Sequence, residues 1–525
     1  MKTILLRTVF FCFSIVSLVA LSSCGGGGGS SNPSGASGSS GGGATGTGGA
    51  TTPNSILSGK YAFSFTGTVT SSGAPIFLAG SFTADGAGNI TTGVEDVNQV
   101  GLSVSKGVAI SGTYSIGADG RGTLNITSGV TQTFKIAVEN GNHGQIIRFD
   151  TGAAGSGSFD LQTSSAFSLN ALTGKYAFEW NGFDSTANEN PLSGIGEVSL
   201  SSGALTGGAD INDGGNYSQL AASGTFQSPD GNGHGTASFT YGTTTLTYAY
   251  DIISANRILL IEIDTAGGTV GEADLQSATF TTASLFGNYA FVLSQPLFGL
   301  GMVGQITTDG QGNISSSDSV ENNFGALASG TFPGTYTLSP TVAGVSLNGR
   351  FVLTATEPSL ASDNFVVYLI SPTQAFVMET DSDQLIFGQL LAQTGSPYAP
   401  SSLNGNYGLN LSGVDGNDVE ADFVGQIASG GTSTLTGGTL DINDEDPTTL
   451  PSITDSNSAI SGGSYSVTNT TTGHGTLSFT ASTTAGALPF QFYFYFVSPS
   501  QIFMLQIDDN VFVTIGSALA QPTIP

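Results

Sequence analysis

A short phrase that recurs four times along the 525 residues most constrains the fold of this chain. Each copy has a leucine, a glycine two residues later and a tyrosine two residues after that: Leu57 to Tyr61, Leu172 to Tyr176, Leu285 to Tyr289 and Leu403 to Tyr407. The four tyrosines are 115, 113 and 118 residues apart. This spacing has the size of a domain, so the sequence predicts four tandem copies of one unit of about 110 residues.

Each unit has the residue pattern of an all-β domain. Apolar side chains alternate with others after the tyrosine, as in Tyr61, Phe63 and Phe65, and a period of two is typical of a strand with one buried face. Asp-Gly pairs at Asp85 and Asp309 predict tight hairpin turns. About eight such strands with short connections predict an eight-stranded antiparallel up-and-down β-barrel, and an immunoglobulin-like β-sandwich is the alternative.

The N-terminus has the features of a secretory signal peptide. Lys2 and Arg7 flank the start of an apolar run that is short for a membrane span. The run ends in Leu21-Ser22-Ser23-Cys24, which resembles the lipobox of bacterial lipoproteins. The resemblance implies that Cys24 is acylated, palmitate included, and becomes the mature N-terminus. By the same resemblance, Gly25 implies export to the outer membrane, facing the periplasm or the exterior.

A low-complexity segment rich in Gly, Ser, Ala and Thr follows Cys24 and predicts a disordered tether. The other cysteine, Cys12, lies inside the signal, so we expect no disulfide in the mature protein. The predicted organisation is a signal peptide over 1–23, the lipidated cysteine and tether over 24–54, and four β repeats over 55–163, 168–277, 281–394 and 399–521.

The charge balance restricts the partners of this protein. There are 38 acidic and 10 basic residues, which give a formal net charge of −28. Such a chain repels nucleic acid and anionic lipid surfaces, so neither is expected as a partner. We therefore expect membrane attachment through the N-terminal lipid alone, together with an unidentified protein or polysaccharide partner.

An acidic segment in the fourth unit is the best candidate for a metal site. Asp441, Asn443, Asp444 and Asp446 offer several oxygen ligands within six residues, and calcium prefers such ligands. The other units carry sparser versions of the segment, and the spacing is not that of an EF-hand. The alternative is a solvated acidic loop, so the sequence predicts at most weak calcium binding and no other cofactor.

The remaining polar repeats do not form a recognisable catalytic constellation. Asp150, Asp264, Asp381 and Asp508 end the same strand in each unit, but the residue two positions earlier is a carboxylate in only two of them. Side-chain turn formation explains these aspartates. His234 and His474 share a Gly-His-Gly-Thr phrase that reads as a turn, too poor in ligands for zinc. We therefore expect no enzymatic activity.

These observations favour a lipid-anchored scaffold of the cell envelope, acting in adhesion or partner binding through repeated units. The alternative is a carrier in which each barrel encloses a small apolar ligand, because the alternating strands are rich in phenylalanine. An envelope hydrolase is a weaker third hypothesis. A cavity inside a barrel favours the carrier, and solidly filled barrels favour the scaffold.

Overall fold

The computed structural model describes residues 53–186, 189–295, 297, 299–356, 362–382, 385–417, 419–444, 453–508 and 512–522. The signal peptide, Cys24, the tether and Asp446 lie outside these residues. The described chain is built from strands and four short 3₁₀ helices, which precede the first strand of each unit at Pro53–Ile56, Ser164–Ala166, Thr282–Ser284 and Pro400–Ser402. No helix in this part of the chain has the length and apolar character needed to cross a membrane.

The first and second units are closed eight-stranded barrels in which each strand pairs with its sequence neighbours and the last strand pairs with the first. The first barrel contains β1 Ser58–Thr68, β2 Pro75–Asp85, β3 Asn89–Gln99, β4 Ser103–Ile116, β5 Arg121–Thr127, β6 Thr131–Asn140, β7 His143–Arg148 and β8 Ala154–Leu161. The second contains β9 Gly174–Asp184, β10 Pro191–Ser201, β11 Ala204–Asp213, β12 Asn216–Phe226, β13 His234–Tyr241, β14 Thr244–Ser254, β15 Arg257–Glu262 and β16 Gly267–Leu275.

The third barrel is less regular because its fourth strand is divided into β20 and β21, which both pair with β19. Its strands are β17 Phe286–Ser294, β18 Leu300–Asp309, β19 Asn313–Asn323, β20 Ala326–Gly330, β21 Gly334–Leu338, β24 Arg350–Thr356, β25 Ser362–Ser371, β26 Gln374–Glu379 and β27 Phe387–Ala392. A small hairpin, β22 Thr341–Val342 and β23 Val345–Ser346, is inserted before β24.

The fourth barrel is again closed and regular. Its strands are β28 Asn404–Asp415, β29 Glu420–Gly430, β30 Leu435–Asp444, β31 Ile453–Val467, β32 His474–Thr483, β33 Gly486–Ser498, β34 Gln501–Gln506 and β35 Phe512–Gln521. All strand pairs in the four barrels are antiparallel. The prediction of tandem up-and-down barrels is therefore confirmed, and the sandwich alternative is wrong.

The recurring phrase that defines the units has the same structural role in each barrel. Its glycine has a positive φ, +137° at Gly59 and +118° at Gly405, which L-residues with a side chain rarely adopt. The ring of its tyrosine is buried in the barrel, and the hydroxyl of Tyr61 donates a hydrogen bond to the Gly141 carbonyl in the turn between the sixth and seventh strands. Tyr407 does the same to Pro499. The phrase thus fastens the first strand to a distant turn of its own barrel.

Apolar side chains of each barrel fill its interior. The four interiors form four separate clusters, and each is built from the residues of one unit alone. The third barrel encloses an apolar cavity of about 50 Å³ between Phe291, Phe332 and Phe365, among others. This volume is well below the 300–1,000 Å³ that is usual for small-molecule sites, so the cavity does not support an apolar carrier.

The four barrels pack on one another as a closed ring. The first three strands of the first and third barrels contact the last three strands of the next barrel, and those of the fourth contact β6, β7 and β8 of the first. At the junction of the second and third barrels, β9 and β10 contact β25 and β26, and β11 contacts the inserted hairpin of β22 and β23. Small apolar clusters lie at all four junctions, including Ala137, Ile147 and Val424 where the fourth barrel meets the first. Three junctions join barrels that are consecutive in sequence. The closing junction joins the two ends of the repeat array without a linker.

Candidate functional site

A single cavity of about 710 Å³ lies where the four barrels meet. Equivalent positions of the four units line it. The first residue of the seventh strand contributes His143, Arg257, Gln374 and Gln501, and an outward residue of the eighth strand contributes Ser158, Glu272, Gln389 and Ser517. Because these side chains point away from the barrel interiors, the ring arrangement alone brings them together.

The walls of this central cavity differ in charge. The first two barrels supply His143, Arg257, Glu272 and Asp274, whereas the last two supply the amides and hydroxyls of Gln374, Gln389, Gln501 and Ser517. The lining from the first two barrels therefore contains ionisable side chains, and the polar lining from the last two barrels is neutral but able to form hydrogen bonds. Phe387 and Phe503 add apolar surface.

A network of charged groups connects the first two barrels. The Arg257 guanidinium lies 2.6 Å from a Glu272 oxygen and 3.1 Å from a carboxylate oxygen of Asp160. The other Asp160 oxygen is 2.8 Å from Nδ1 of His143. Burial alone would lower the pKa of His143, but the hydrogen bond to Asp160 and the charges of Glu139 and Asp160 together outweigh it, and the pKa is raised. Burial likewise opposes the shift at Asp160, whose pKa is lowered by His143 and Arg257.

Asp274 is the exception in this network. It lines the cavity, is 7% exposed and stands opposite Arg257 in the pairing of the seventh and eighth strands. Its carboxylate accepts no hydrogen bond from any residue that the structure describes. Burial, and secondly the charge of Glu272, raises the pKa of Asp274. The cavity thus contains one buried carboxyl group that accepts no hydrogen bond from the described residues, although the charge of Arg257 favours its ionised form.

The acidic segment of the fourth unit and its counterparts in the other units lie at the junctions between barrels. In every unit, the asparagine of the third strand donates a hydrogen bond to a main-chain carbonyl at the end of the seventh strand of the adjoining barrel. The donor and acceptor pairs are Asn98 and Glu262 at 2.9 Å, Asn212 and Glu379 at 3.3 Å, Asn322 and Gln506 at 2.8 Å, and Asn443 and Arg148 at 2.8 Å.

A contact between a basic residue and an aspartate accompanies this hydrogen bond at each junction. The first residue of the fifth strand is a basic residue that contacts an aspartate of the neighbouring barrel's third strand. The pairs are Arg121 and Asp441 at 3.0 Å, His234 and Asp96 at 3.6 Å, Arg350 and Asp210 at 2.7 Å, and His474 and Asp318 at 3.0 Å. Arginine and histidine therefore alternate around the ring. The two histidines are junction residues as well as turn residues.

The residues of the predicted calcium site are part of the closing junction. Asp441 is buried and accepts hydrogen bonds from Arg121 and from the Asn457 main chain, and the Asn443 amide is committed to the Arg148 carbonyl. Asp444 is also buried, and Asp446 lies outside the described residues. A calcium ion at Asp441 would have to replace the Arg121 guanidinium. Calcium binding at this segment stays a prediction.

Two of the aspartates that follow the seventh strands, Asp150 and Asp264, accept a hydrogen bond from the main chain two residues later and so form turns. Asp150 accepts a hydrogen bond from the Gly152 main chain with one oxygen and from Thr133 on the sixth strand with the other. In the third barrel, Asp363, Glu379 and Asp381 bring three carboxylates within 4.8 Å of one another. Asp381 accepts hydrogen bonds from Asn364 there, so the cluster already has partners within the protein.

Sequence reasoning did not identify the central cavity. His143, Arg257, Glu272 and Asp274 belong to no motif, and each is an ordinary outward residue of its own barrel. One signal was available: the seventh strand begins with a polar residue in all four units. That regularity predicts a shared polar cavity only if the four barrels are already known to be arranged around a common axis.

The chain matches no family model and no curated protein. Distant similarities exist among solved structures. Kievitone hydratase from Nectria haematococca is 12% identical over 43% of this chain and 90% of that chain, with a TM-score of 0.19. Transferrin binding protein B is 10% identical in serogroup B Neisseria meningitidis (74% of this chain, 82% of that chain, TM-score 0.18) and 9% identical in Haemophilus parasuis Hp5 (88% and 95%, TM-score 0.19). TM-scores this low carry no argument about this chain.

Proposed function

We propose that this protein is a lipid-anchored, non-enzymatic binding protein of the bacterial cell envelope, and that the central cavity of its barrel ring binds a hydrophilic ligand. The observation that carries the proposal is the convergence of all four barrels on one polar cavity of about 710 Å³. This volume lies in the range of small-molecule sites, which combine enclosure with a few polar groups that fix orientation.

The filled barrel interiors support binding between barrels rather than inside them. Each interior is occupied by its own apolar side chains, with about 50 Å³ left in the third barrel. The polar cavity also favours ligand binding over a purely structural role. If the centre of the ring served only to hold the barrels together, apolar side chains at these positions would pack against one another and fill it. Four half-buried side chains, Gln374, Gln389, Gln501 and Ser517, instead face the cavity.

The anchoring part of the proposal rests on the lipobox-like sequence that ends at Cys24. Metabolic labelling with an alkynyl palmitate analogue, followed by membrane fractionation, tests it. Label and membrane association are expected for the native chain and absent in Cys24→Ala. A Cys24→Ala protein that keeps both would contradict lipid anchoring.

The binding part is tested by native mass spectrometry of the full chain, purified in detergent from envelope material. We expect a small hydrophilic molecule to remain bound, and we expect Ser517→Trp to weaken or abolish its binding because the indole would occupy part of the cavity. Ser461→Trp is the matched control, since Ser461 is an exposed residue of the same barrel. No bound mass in the native protein, or equal retention by Ser517→Trp, would contradict the proposal.

A further inference from the structure

The charge and hydrogen-bonding capacity of the central cavity narrow the class of its ligand, on the premise of the proposed function above. We propose that the cavity takes a hydroxyl-rich molecule with a positively charged amine, the chemistry of an amino sugar, and that Asp274 receives the ammonium group. The premise and this inference concern the same cavity but have separate tests.

The positive charge of Arg257 is already neutralised within the protein. Its guanidinium contacts Glu272 at 2.6 Å and Asp160 at 3.1 Å. Both carboxylates thereby lose most of their attraction for a further cation. Arg257 is also held away from the role of an anion-binding residue, since its donors are directed at these two partners.

Asp274 is the cavity residue for which a ligand would supply the missing hydrogen-bond donor. It is 7% exposed, lines the cavity and accepts no hydrogen bond from the residues that the structure describes. A buried carboxylate without a partner is unfavourable when ionised, and an ammonium group in hydrogen-bond contact relieves that cost. Burial, and secondly the charge of Glu272, raises the pKa of Asp274 to about 8 although the charge of Arg257 opposes the shift, and an ammonium group bound beside Asp274 would favour its ionised form.

The opposite walls are suited to hydroxyl groups. The side chains of Gln374, Gln389 and Gln501 form no hydrogen bond with the protein within the described ranges, and all three are half-buried. An amide both donates and accepts, which matches the dual character of a hydroxyl group. The half-buried ring of Phe387 provides an apolar face of the kind that packs on a sugar ring.

The combination excludes simpler ligands on chemical grounds. An apolar molecule would leave the amides and Asp274 without partners, which is costly in a buried site. An anion would find no unpaired cation at Arg257, whose guanidinium already contacts Glu272 and Asp160. A neutral sugar would satisfy the amide walls but leave the carboxylate unpaired, so the amine is the feature that should determine affinity.

Isothermal titration of the detergent-solubilised full chain with D-glucosamine and D-glucose at pH 6.5 tests this inference. The two sugars differ at one position, where an amine replaces a hydroxyl. We expect glucosamine to bind about tenfold to a hundredfold more tightly than glucose, the range of a charge-assisted hydrogen bond. Asp274→Asn should remove that preference.

Asp213→Asn is the matched control, because Asp213 is a half-buried aspartate of the same barrel outside the cavity. It should keep the preference for glucosamine. Equal affinity for both sugars, or a preference that survives Asp274→Asn, would overturn the assignment of the amine to Asp274. Loss of the bound molecule in Ser517→Trp would still support the cavity as a binding site. Failure of both sugars to bind would overturn the proposal that the ligand is an amino sugar. The proposal that the cavity binds a ligand would still depend on the mass-spectrometric test alone.

Discussion

The side-chain amide of Asn443 in the fourth barrel donates a 2.8 Å hydrogen bond to the main-chain oxygen of Arg148 in the first barrel, 295 residues earlier in the chain. The same contact occurs at the other three junctions, where a linker also joins the barrels. At the closing junction, side-chain and packing contacts alone hold the ring together. The hydrogen bond of Asn443 is therefore expected to matter more for ring closure than its three counterparts.

Asn443→Ala should loosen the closing junction, because it removes a buried hydrogen bond and leaves the Arg148 carbonyl unsatisfied, at a cost of about 1–3 kcal/mol. Hydrogen exchange of β7 and β30 should accelerate. Asn322→Ala removes the equivalent bond where a linker remains, and it should accelerate exchange less. Equal acceleration in the two variants would count against a special role for the closing junction.

The buried carboxyl group of Glu139 should make the free energy of unfolding fall as pH rises. Both of its carboxylate oxygens are buried near Gly408 of the fourth barrel without a hydrogen-bond partner in the described part of the chain, and burial raises the pKa of Glu139 to about 8. The folded state therefore binds one proton more than the unfolded state between about pH 4.5 and 8, so stability is lost across that interval. Chemical denaturation at a series of pH values measures this loss.

Glu139→Gln should be about as stable as the native protein at pH 4, where the carboxyl group is neutral in the folded state and largely neutral in the unfolded state. Above pH 8 the variant should be more stable by on the order of 5 kcal/mol. Parallel pH profiles for the two proteins would show that Glu139 ionises without cost and that the junction is wetter than this structure.

His234 should titrate well above an ordinary histidine. Burial lowers its pKa, but the hydrogen bond and charge of Asp251 and the charge of Asp96 outweigh this and raise the pKa to about 9. The stability that the charged imidazole provides is complete below the unfolded pKa of about 6.5 and is lost as pH rises through about 9. NMR titration of the imidazole should find the elevated value, and Asp251→Asn should lower it. A midpoint near 6.5 in the native protein would contradict the ion pair.

Gly425 on β29 should not tolerate a side chain. An added Cβ would lie 2.4 Å from the Thr439 carbonyl oxygen and 2.7 Å from the Leu440 side chain, so Gly425→Ala should destabilise the protein by about 2 kcal/mol or more. Gly437 on the neighbouring β30 has open space around its Cβ position, and Gly437→Ala should be close to neutral. Thermal denaturation compares the two, and similar melting temperatures would contradict the predicted clash.

Gly425 also illustrates where the sequence was informative and where it was not. A recurrent glycine in the second strand indicates a bulge or a sharp coil of the sheet. The register is continuous at Gly425 on both sides, so no bulge is present there. Close approach to the neighbouring strand requires the glycine instead. The period-two pattern nevertheless predicted the strands and their buried faces correctly.

The ring and its cavity could not be predicted in the same way. Strands and turns are predicted from residues that are close in sequence, and the recurrence of about 115 residues can be seen in a single sequence. Contacts between repeats leave no such signal. The Asn443 to Arg148 contact joins two repeats through an outward side chain, and no periodicity identifies such a partner. Asp441 therefore resembled a calcium ligand, whereas the structure places it beside Arg121.

Closure of the ring by this Arg121 and Asp441 pair is the central claim, and a double-mutant cycle tests it most directly. The two groups are 3.0 Å apart, with side-chain exposures of 11% and 2%, and they belong to the first and last barrels. Urea unfolding of the native chain, Arg121→Met, Asp441→Asn and the double variant gives their coupling free energy. Closure predicts a favourable coupling of about 1–3 kcal/mol. Additive effects, within about 0.3 kcal/mol, would contradict it.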